Sequence, residues 1–163
     1  LKLIPKFRET DGIYINDIPI SEIKNKDYLR KVSYYSQNTP IITDTLYNNL
    51  NFGRKKVSKA IYEAMPFLAK FTNLDEMIVE NGANLSGGDK QRIALSRYFT
   101  EDADIVILDE PTSSLDKETE EELMKEILKD TKDKIVFIIS HNKEIMKYCS
   151  HLVEVKNKTA TVL

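Results

Sequence analysis

Residues 82–92 read Gly82-Ala83-Asn84-Leu85-Ser86-Gly87-Gly88-Asp89-Lys90-Gln91-Arg92, a run of small residues that opens straight into a helical pattern. Ser86 is placed to cap the helix, with Asp89 three residues on, the spacing of a capping box. Gly87 and Gly88 put no side chain over the first-turn N–H groups. Ile93, Ala94, Leu95 and Phe99 continue an apolar face at helical spacing. Outward-pointing N–H groups and the macrodipole make such a helix start an anion site. An ordinary capped helix behind a glycine turn fits the same residues, so the surrounding sequence has to decide.

Downstream lies Ile105-Val106-Ile107-Leu108-Asp109-Glu110-Pro111-Thr112. The four aliphatic residues read as a strand buried in a parallel sheet. Two carboxylates at its C-terminal end are costly beside a buried strand unless they have a partner. A Mg²⁺–phosphate site supplies one, and ligands of open α/β sheets bind at that edge. A second aliphatic strand, Ile135-Val136-Phe137-Ile138-Ile139, ends in Ser140-His141. A β-branched and aromatic strand, Val32-Ser33-Tyr34-Tyr35-Ser36, ends at Gln37. In a parallel sheet these three polar ends, Gln37, Asp109/Glu110 and His141, fall along one edge, where each is useful for phosphoryl transfer.

Leu85-Ser86-Gly87-Gly88 resembles the signature motif of ATP-binding-cassette (ABC) ATPases, and the strand ending in Asp109-Glu110 resembles their Walker B strand. The resemblance covers nearly the whole chain. It implies an α/β fold of the P-loop NTPase (RecA-like) type with an inserted α-helical subdomain. Residues 1–40 and 86–163 would form the core, and about 41–85 the subdomain, with the signature at its end. It further implies ATP and Mg²⁺ as ligands. Asp109 would enter the Mg²⁺ shell, and Glu110 would act as general base on the water attacking the γ-phosphate. Gln37 resembles the Q-loop glutamine, reaching toward metal and water, and His141 the H-loop histidine at the γ-phosphate. Leu85, Ser86, Gly87, Gly88 and Asp89, with Asp116 of a D-loop-like Ser113-Ser114-Leu115-Asp116, would complete the site on a partner domain. Asp116 equally fits the N-cap of the next helix. Asp89 stands where the family usually has Gln. It either weakens contact with a γ-phosphate or serves as a cap.

One family element has no counterpart. A P-loop, G-x-x-x-x-G-K-S/T, needs glycines five apart. Only Gly82 and Gly87 have that spacing, and Gly88 and Asp89 follow where Lys and Ser/Thr are required. Gly12-Ile13-Tyr14-Ile15-Asn16-Asp17 looks like the strand after the P-loop helix in ABC domains, which places a P-loop a few residues before Leu1. The expectation is a chain truncated just after Walker A, without the upstream adenine-stacking aromatic, and inactive alone.

Composition sets the outer limits. The chain has 163 residues, enough for one domain with a core, and a net charge of −2. That charge, with no basic stripe, gives no sign of nucleic acid as partner. The lone Cys149 allows no internal disulfide. No run is apolar enough to cross a bilayer, and no signal peptide is visible.

The rest of the chain completes the expected pattern. Asp27 to Lys31 reads as a helical lead-in. Residues 38–50 resemble the flank of the Q-loop in exporters. Lys56 to Met77 reads as helical, broken at Pro66 and Thr72-Asn73, with Ala60, Ile61, Ala64 and Met65 on one face. Ile78-Val79-Glu80-Asn81-Gly82 resembles the exporter X-loop, commonly V-G-E-x-G, with Val79 in place of glycine. A helix over 117–129 would bury Leu123, Met124, Ile127 and Leu128 and expose its glutamates. His151 reads as structural. Together these features imply an exporter ATPase domain at the cytoplasmic face of a membrane, with a transmembrane domain upstream in the same polypeptide and a second nucleotide-binding domain as partner. A soluble ABC ATPase of DNA repair or translation is the alternative within the class, and a non-enzymatic docking module the alternative outside it.

Overall fold

The computed structural model describes residues 12–36, 40–52, 58–100, 102–130, 133–157 and 159–163. In chain order the elements are β1 (Tyr14–Ile15), β2 (Ile18–Pro19), α1 (Asn25–Lys31), β3 (Val32–Tyr35), β4 (Asp44–Thr45), α2 (Leu46–Leu50), α3 (Lys59–Glu63), β5 (Met77–Ile78), α4 (Gly87–Ser96), β6 (Ile105–Asp109), α5 (Lys117–Asp130), β7 (Ile135–Ile139), β8 (Val153–Lys156) and β9 (Thr159–Val162).

The centre is a parallel sheet in the order β3-β6-β7. Its register pairs Tyr34 with Ile107 and Ile107 with Phe137, and it pairs Asp109 with Ile139. Side chains alternate across a sheet, so each face has its own core. Tyr35, Val106, Leu108, Val136 and Ile138 join the larger core with α4 and α5. Val32, Tyr34, Ile105, Ile107 and Ile139 join a smaller one with Ile20 and Tyr28. Val106, Ile107 and Leu108 are wholly buried, as two-faced cover requires of an aliphatic run.

β7 is the exception to the expected burial. Ile135 and Phe137 are 58% and 38% exposed. Both point to the face of the smaller core, which on β7 takes in Ile139 but neither of these two. The strand after Gly12 also differs from expectation. It stops at Ile15 and turns back through Asn16 (φ 49°) and Asp17 (φ 64°) into an antiparallel partner. Two successive left-handed residues make the tight hairpin turn that Asn and Asp tolerate.

The segment between β3 and α4 is less helical than expected. Its described helices are α2, α3 and a single 3₁₀ turn at Pro66–Leu68. The buried face is also rotated. Tyr62 is 1% exposed and Ile61 45%. The Tyr62 hydroxyl donates to the Leu50 carbonyl and to Asn51 Oδ1, each at 3.2 Å, and its ring meets Tyr47 edge-on. A tyrosine with partners for its hydroxyl outcompetes an isoleucine for that place. The segment is held by polar groups inside the core. Asn49, fully buried, accepts from Ile42 N and donates to Ile42 O, both at 2.9 Å. Arg97, just past α4, donates to the carbonyls of Asn49 (2.8 Å) and Pro40 (3.0 Å).

α5 begins where expected, and Leu123, Met124 and Ile127 are buried. Leu128 is instead 43% exposed and Glu120 is buried. The inward arc runs through 120, 123, 124 and 127, leaving Leu128 at its rim. Glu120 is tolerated inside because its carboxylate accepts from Asn142 Nδ2 at 2.8 Å.

Candidate functional site

α4 starts as the sequence dictates. Ser86 Oγ accepts from the Asp89 N–H at 3.2 Å, and Asp89 Oδ2 accepts from the Ser86 N–H at 3.1 Å. This closes the capping box. Gly87 and Gly88, at the first helical positions, keep outward N–H groups of the kind helix starts leave unpaired. Leu85 packs against the larger core from the turn before the cap. That turn passes through Glu80 (φ 46°), Asn81 (φ 56°) and Gly82 (φ 83°). Positive φ is absent from Val79, so the loop does not require a glycine there.

Asp89 is engaged on two sides. Lys70 Nζ donates to Oδ1, while Oδ2 holds the cap. Burial favours the neutral acid, but the bonds from Lys70 and Ser86 outweigh it and hold the carboxyl below the usual aspartate range. A depressed pKa contributes stability at pH values above the unfolded pKa, and the contribution disappears as pH falls through the folded one. Asp89→Asn keeps a capping oxygen and loses the ion pair, whose lysine is half exposed. The expected loss is about 0.5–1 kcal/mol at pH 7. In urea unfolding it should persist to about pH 4 and close below it.

The loop after β6 packs directly on α4. A Cβ on Gly88 would lie 2.9 Å from the Ser114 carbonyl oxygen, whereas one on Gly87 would find Ser114 Cβ at 3.8 Å. Gln91, buried on the same helix, donates from Nε2 to the Glu110 carbonyl (2.9 Å) and to Ser113 Oγ (3.3 Å). Its Oε1 accepts from the Ser114 N–H at 2.8 Å. Asp116 ends the loop as the cap of α5. It accepts from Thr119 N at 3.0 Å and Thr119 Oγ1 at 2.8 Å, and pairs with Arg92 at 3.2 Å. The Thr119 bonds, aided by Arg92, hold its carboxyl below the usual range.

The strand ends meet as the parallel topology requires. Glu110 has φ 52°, and its N–H donates to the Ile139 carbonyl at 2.9 Å. The left-handed backbone turns its side chain across the end of β7. There Glu110 Oε1 accepts from the His141 N–H at 3.1 Å and lies 3.8 Å from His141 Nε2. The His141 side chain is fully exposed, and that of Glu110 is 21% exposed. One strand over, the Tyr34 hydroxyl donates to Asp109 Oδ2 at 2.9 Å. Burial, then this bond, raises the Tyr34 pKa. Gln37 lies outside the described residues. Ser150 Oγ sits 3.0 Å from His151 Nδ1, apart from these strand ends.

Among the described residues no cluster of three or more His, Cys, Asp or Glu could cage a metal. Mg²⁺ is commonly held by one or two carboxylates together with substrate phosphates, and Asp109 beside Glu110 is a donor set of that kind. The residues therefore fit a metal delivered with a nucleotide. Sequence reading missed Gln91, although it is a polar side chain in line with Ala94, Leu95 and Tyr98 on the buried face. It also missed Tyr34, whose role depends on the β3–β6 register and has no local signal.

The described ABC transporter domain model matches residues 1–113. The ATP-dependent lipid A-core flippase of Desulfotalea psychrophila is 33% identical over 94% of this chain, and that of Wigglesworthia glossinidia brevipalpis 35% over 90%. The chain spans 29% and 27% of their lengths. A bacterial Atm1-family ABC exporter, solved with ATP bound, superposes over 93% of this chain and 29% of its own, with a TM-score of 0.85 at 22% identity. With that fold, and with the family match over residues 1–113, the chain belongs to the ABC transporter family.

Proposed function

We propose that this chain is part of the ATP-hydrolysing domain of a membrane exporter, with a transmembrane domain upstream in the same polypeptide and a second nucleotide-binding domain facing it. The domain would work at the cytoplasmic side. Among the described residues no helix is long and apolar enough to cross a membrane. The names of the flippase relatives, and the share of their length that this chain spans, support the reading.

The observation that carries it is the meeting of Asp109, Glu110 and His141 at one sheet edge, with the Glu110 carboxylate 3.1 Å from the His141 N–H. Asp109 is the residue to hold Mg²⁺, which when bound neutralises charge on the phosphates. Tyr34 fixes one of its carboxylate oxygens. Glu110 accepts the proton of the attacking water. The exposed imidazole of His141 is free to turn toward the γ-phosphate, and Gln37 would join it there. Gly87 and Gly88 present N–H groups, and Ser86 its hydroxyl, to the nucleotide of the partner domain, and the Leu85 and Asp116 turns carry that surface. Asp89 acts there as a cap, with its charge offset by Lys70.

The test is calorimetric titration with Mg²⁺ and ATP. This stretch alone, which has no G-x-x-x-x-G-K-S/T, is expected to bind very weakly and turn over negligibly. A form extended upstream by about forty residues, enough for a P-loop and its strand, is expected to bind. Failure of both forms would favour a docking module that keeps the fold.

A further inference from the structure

The Gln91 side chain bonds both to the backbone of Glu110 and to the loop that follows it. Its Nε2 donates to the Glu110 carbonyl, and its Oε1 accepts from the Ser114 N–H. Glu110 needs this support. Its φ of 52° lies in the left-handed region that a non-glycine residue occupies only when its surroundings impose it. The N–H of Glu110 is fixed by β7 through the Ile139 carbonyl, and its C=O accepts from Gln91 of α4 at 2.9 Å and, at the longer distance of 3.4 Å, from the Ser113 N–H. The peptide units on both sides of the strained Cα are thereby pinned, and with them the direction of the carboxylate.

We propose that Gln91 is a positioning residue for ATP hydrolysis, holding Glu110 in the left-handed backbone that aims its carboxylate, and tying that aim to the position of the signature helix. The proposal rests on Glu110 being the general base. Because Gln91 lies in the first turns of α4, a shift of the helix start displaces the Glu110 peptide. A site on the partner domain that contacts Gly87 and Gly88 is thus mechanically joined to the base in this domain. The carboxamide is required for both bonds, one end donating and the other accepting.

The experiment uses the full-length protein and two variants. Gln91→Leu removes these two bonds, and the longer one to Ser113 Oγ, at similar volume. Gln91→Glu keeps the acceptor for Ser114 N–H but sets a carboxylate oxygen against the Glu110 carbonyl. Each is expected to lower kcat for Mg·ATP about ten- to a hundred-fold, the cost of misplacing a catalytic group by about 1 Å. KM should stay within about two-fold, because the nucleotide contacts are untouched. Amide exchange at Ser114 should speed up in Gln91→Leu and stay slow in Gln91→Glu. A kcat within two-fold of the parent in either variant would overturn the proposal, as would a kcat loss matched by a rise in KM. Failure of both variants to fold would assign Gln91 to the scaffold and overturn it too. Glu110→Gln, measured alongside, separates the two readings. If it keeps turnover, the assignment of the base is wrong. If it loses turnover while the Gln91 variants do not, only the role of Gln91 is wrong.

Discussion

Replacing Glu110 with Gln should lower ATP turnover by the full-length protein by about 10²–10⁴-fold, the range a positioned general base contributes. That corresponds to about 3–5 kcal/mol in the barrier. Binding of Mg·ATP should survive. The amide matches the carboxylate in size, and its oxygen can still accept from the His141 N–H, the bond that places Glu110 across the end of β7. The left-handed backbone at 110 is held through main-chain atoms and through Gln91, none of which the substitution alters. What is removed is the ability to take a proton. Steady-state ATPase assays with a nucleotide-trapping measurement check both halves. Turnover within a few-fold of the parent would mean that the strand-end carboxylates are not the chemical centre.

The second large effect is expected at Gly88, and its value lies in the contrast with Gly87. A methyl group on Gly88 meets the Ser114 carbonyl at 2.9 Å, a backbone atom that cannot rotate away. Either α4 lifts or the loop between Glu110 and Asp116 moves, at a cost of about 1–3 kcal/mol. Both displacements carry the Glu110 peptide with them, so Gly88→Ala should lose about 10²-fold in kcat together with a lower unfolding midpoint. A methyl on Gly87 meets only Ser114 side-chain atoms at ordinary contact distance. Gly87→Ala should change stability by no more than about 0.5 kcal/mol. If it nevertheless abolishes turnover, the loss comes from outside the domain, where the partner's nucleotide would approach. Equal destabilisation by the two alanines would contradict the packing described at the start of α4.

The candidate site was legible where its residues are also local structure. The Ser86–Asp89 capping box is a matter of spacing three residues apart, and it forms as read. The cap at Asp116 is likewise short-range. Parallel pairing of aliphatic strands was enough to bring Glu110 and His141 together. Two readings failed for tertiary reasons. Ile61 lost its inward place to Tyr62, whose hydroxyl finds partners on Leu50 and Asn51. Leu128 yielded to Glu120, which Asn142 satisfies. Ile135 and Phe137 belong to a continuous apolar strand, yet stand exposed because burial of a strand depends on what covers each face.

By itself, then, the sequence determined the parallel strands β3, β6 and β7, the sheet-edge placement of Asp109, Glu110 and His141, and the capped glycine start of α4. Hydrophobic period, capping geometry and glycine conformation act within a few residues, so they can be read without coordinates. Only the tertiary structure decided what those groups touch. Tyr34 on Asp109, Lys70 on Asp89 and Gln91 on Glu110 each span 19 residues or more. Such pairings depend on strand register and helix rotation, which are set by packing of the whole core and leave no trace in the local pattern.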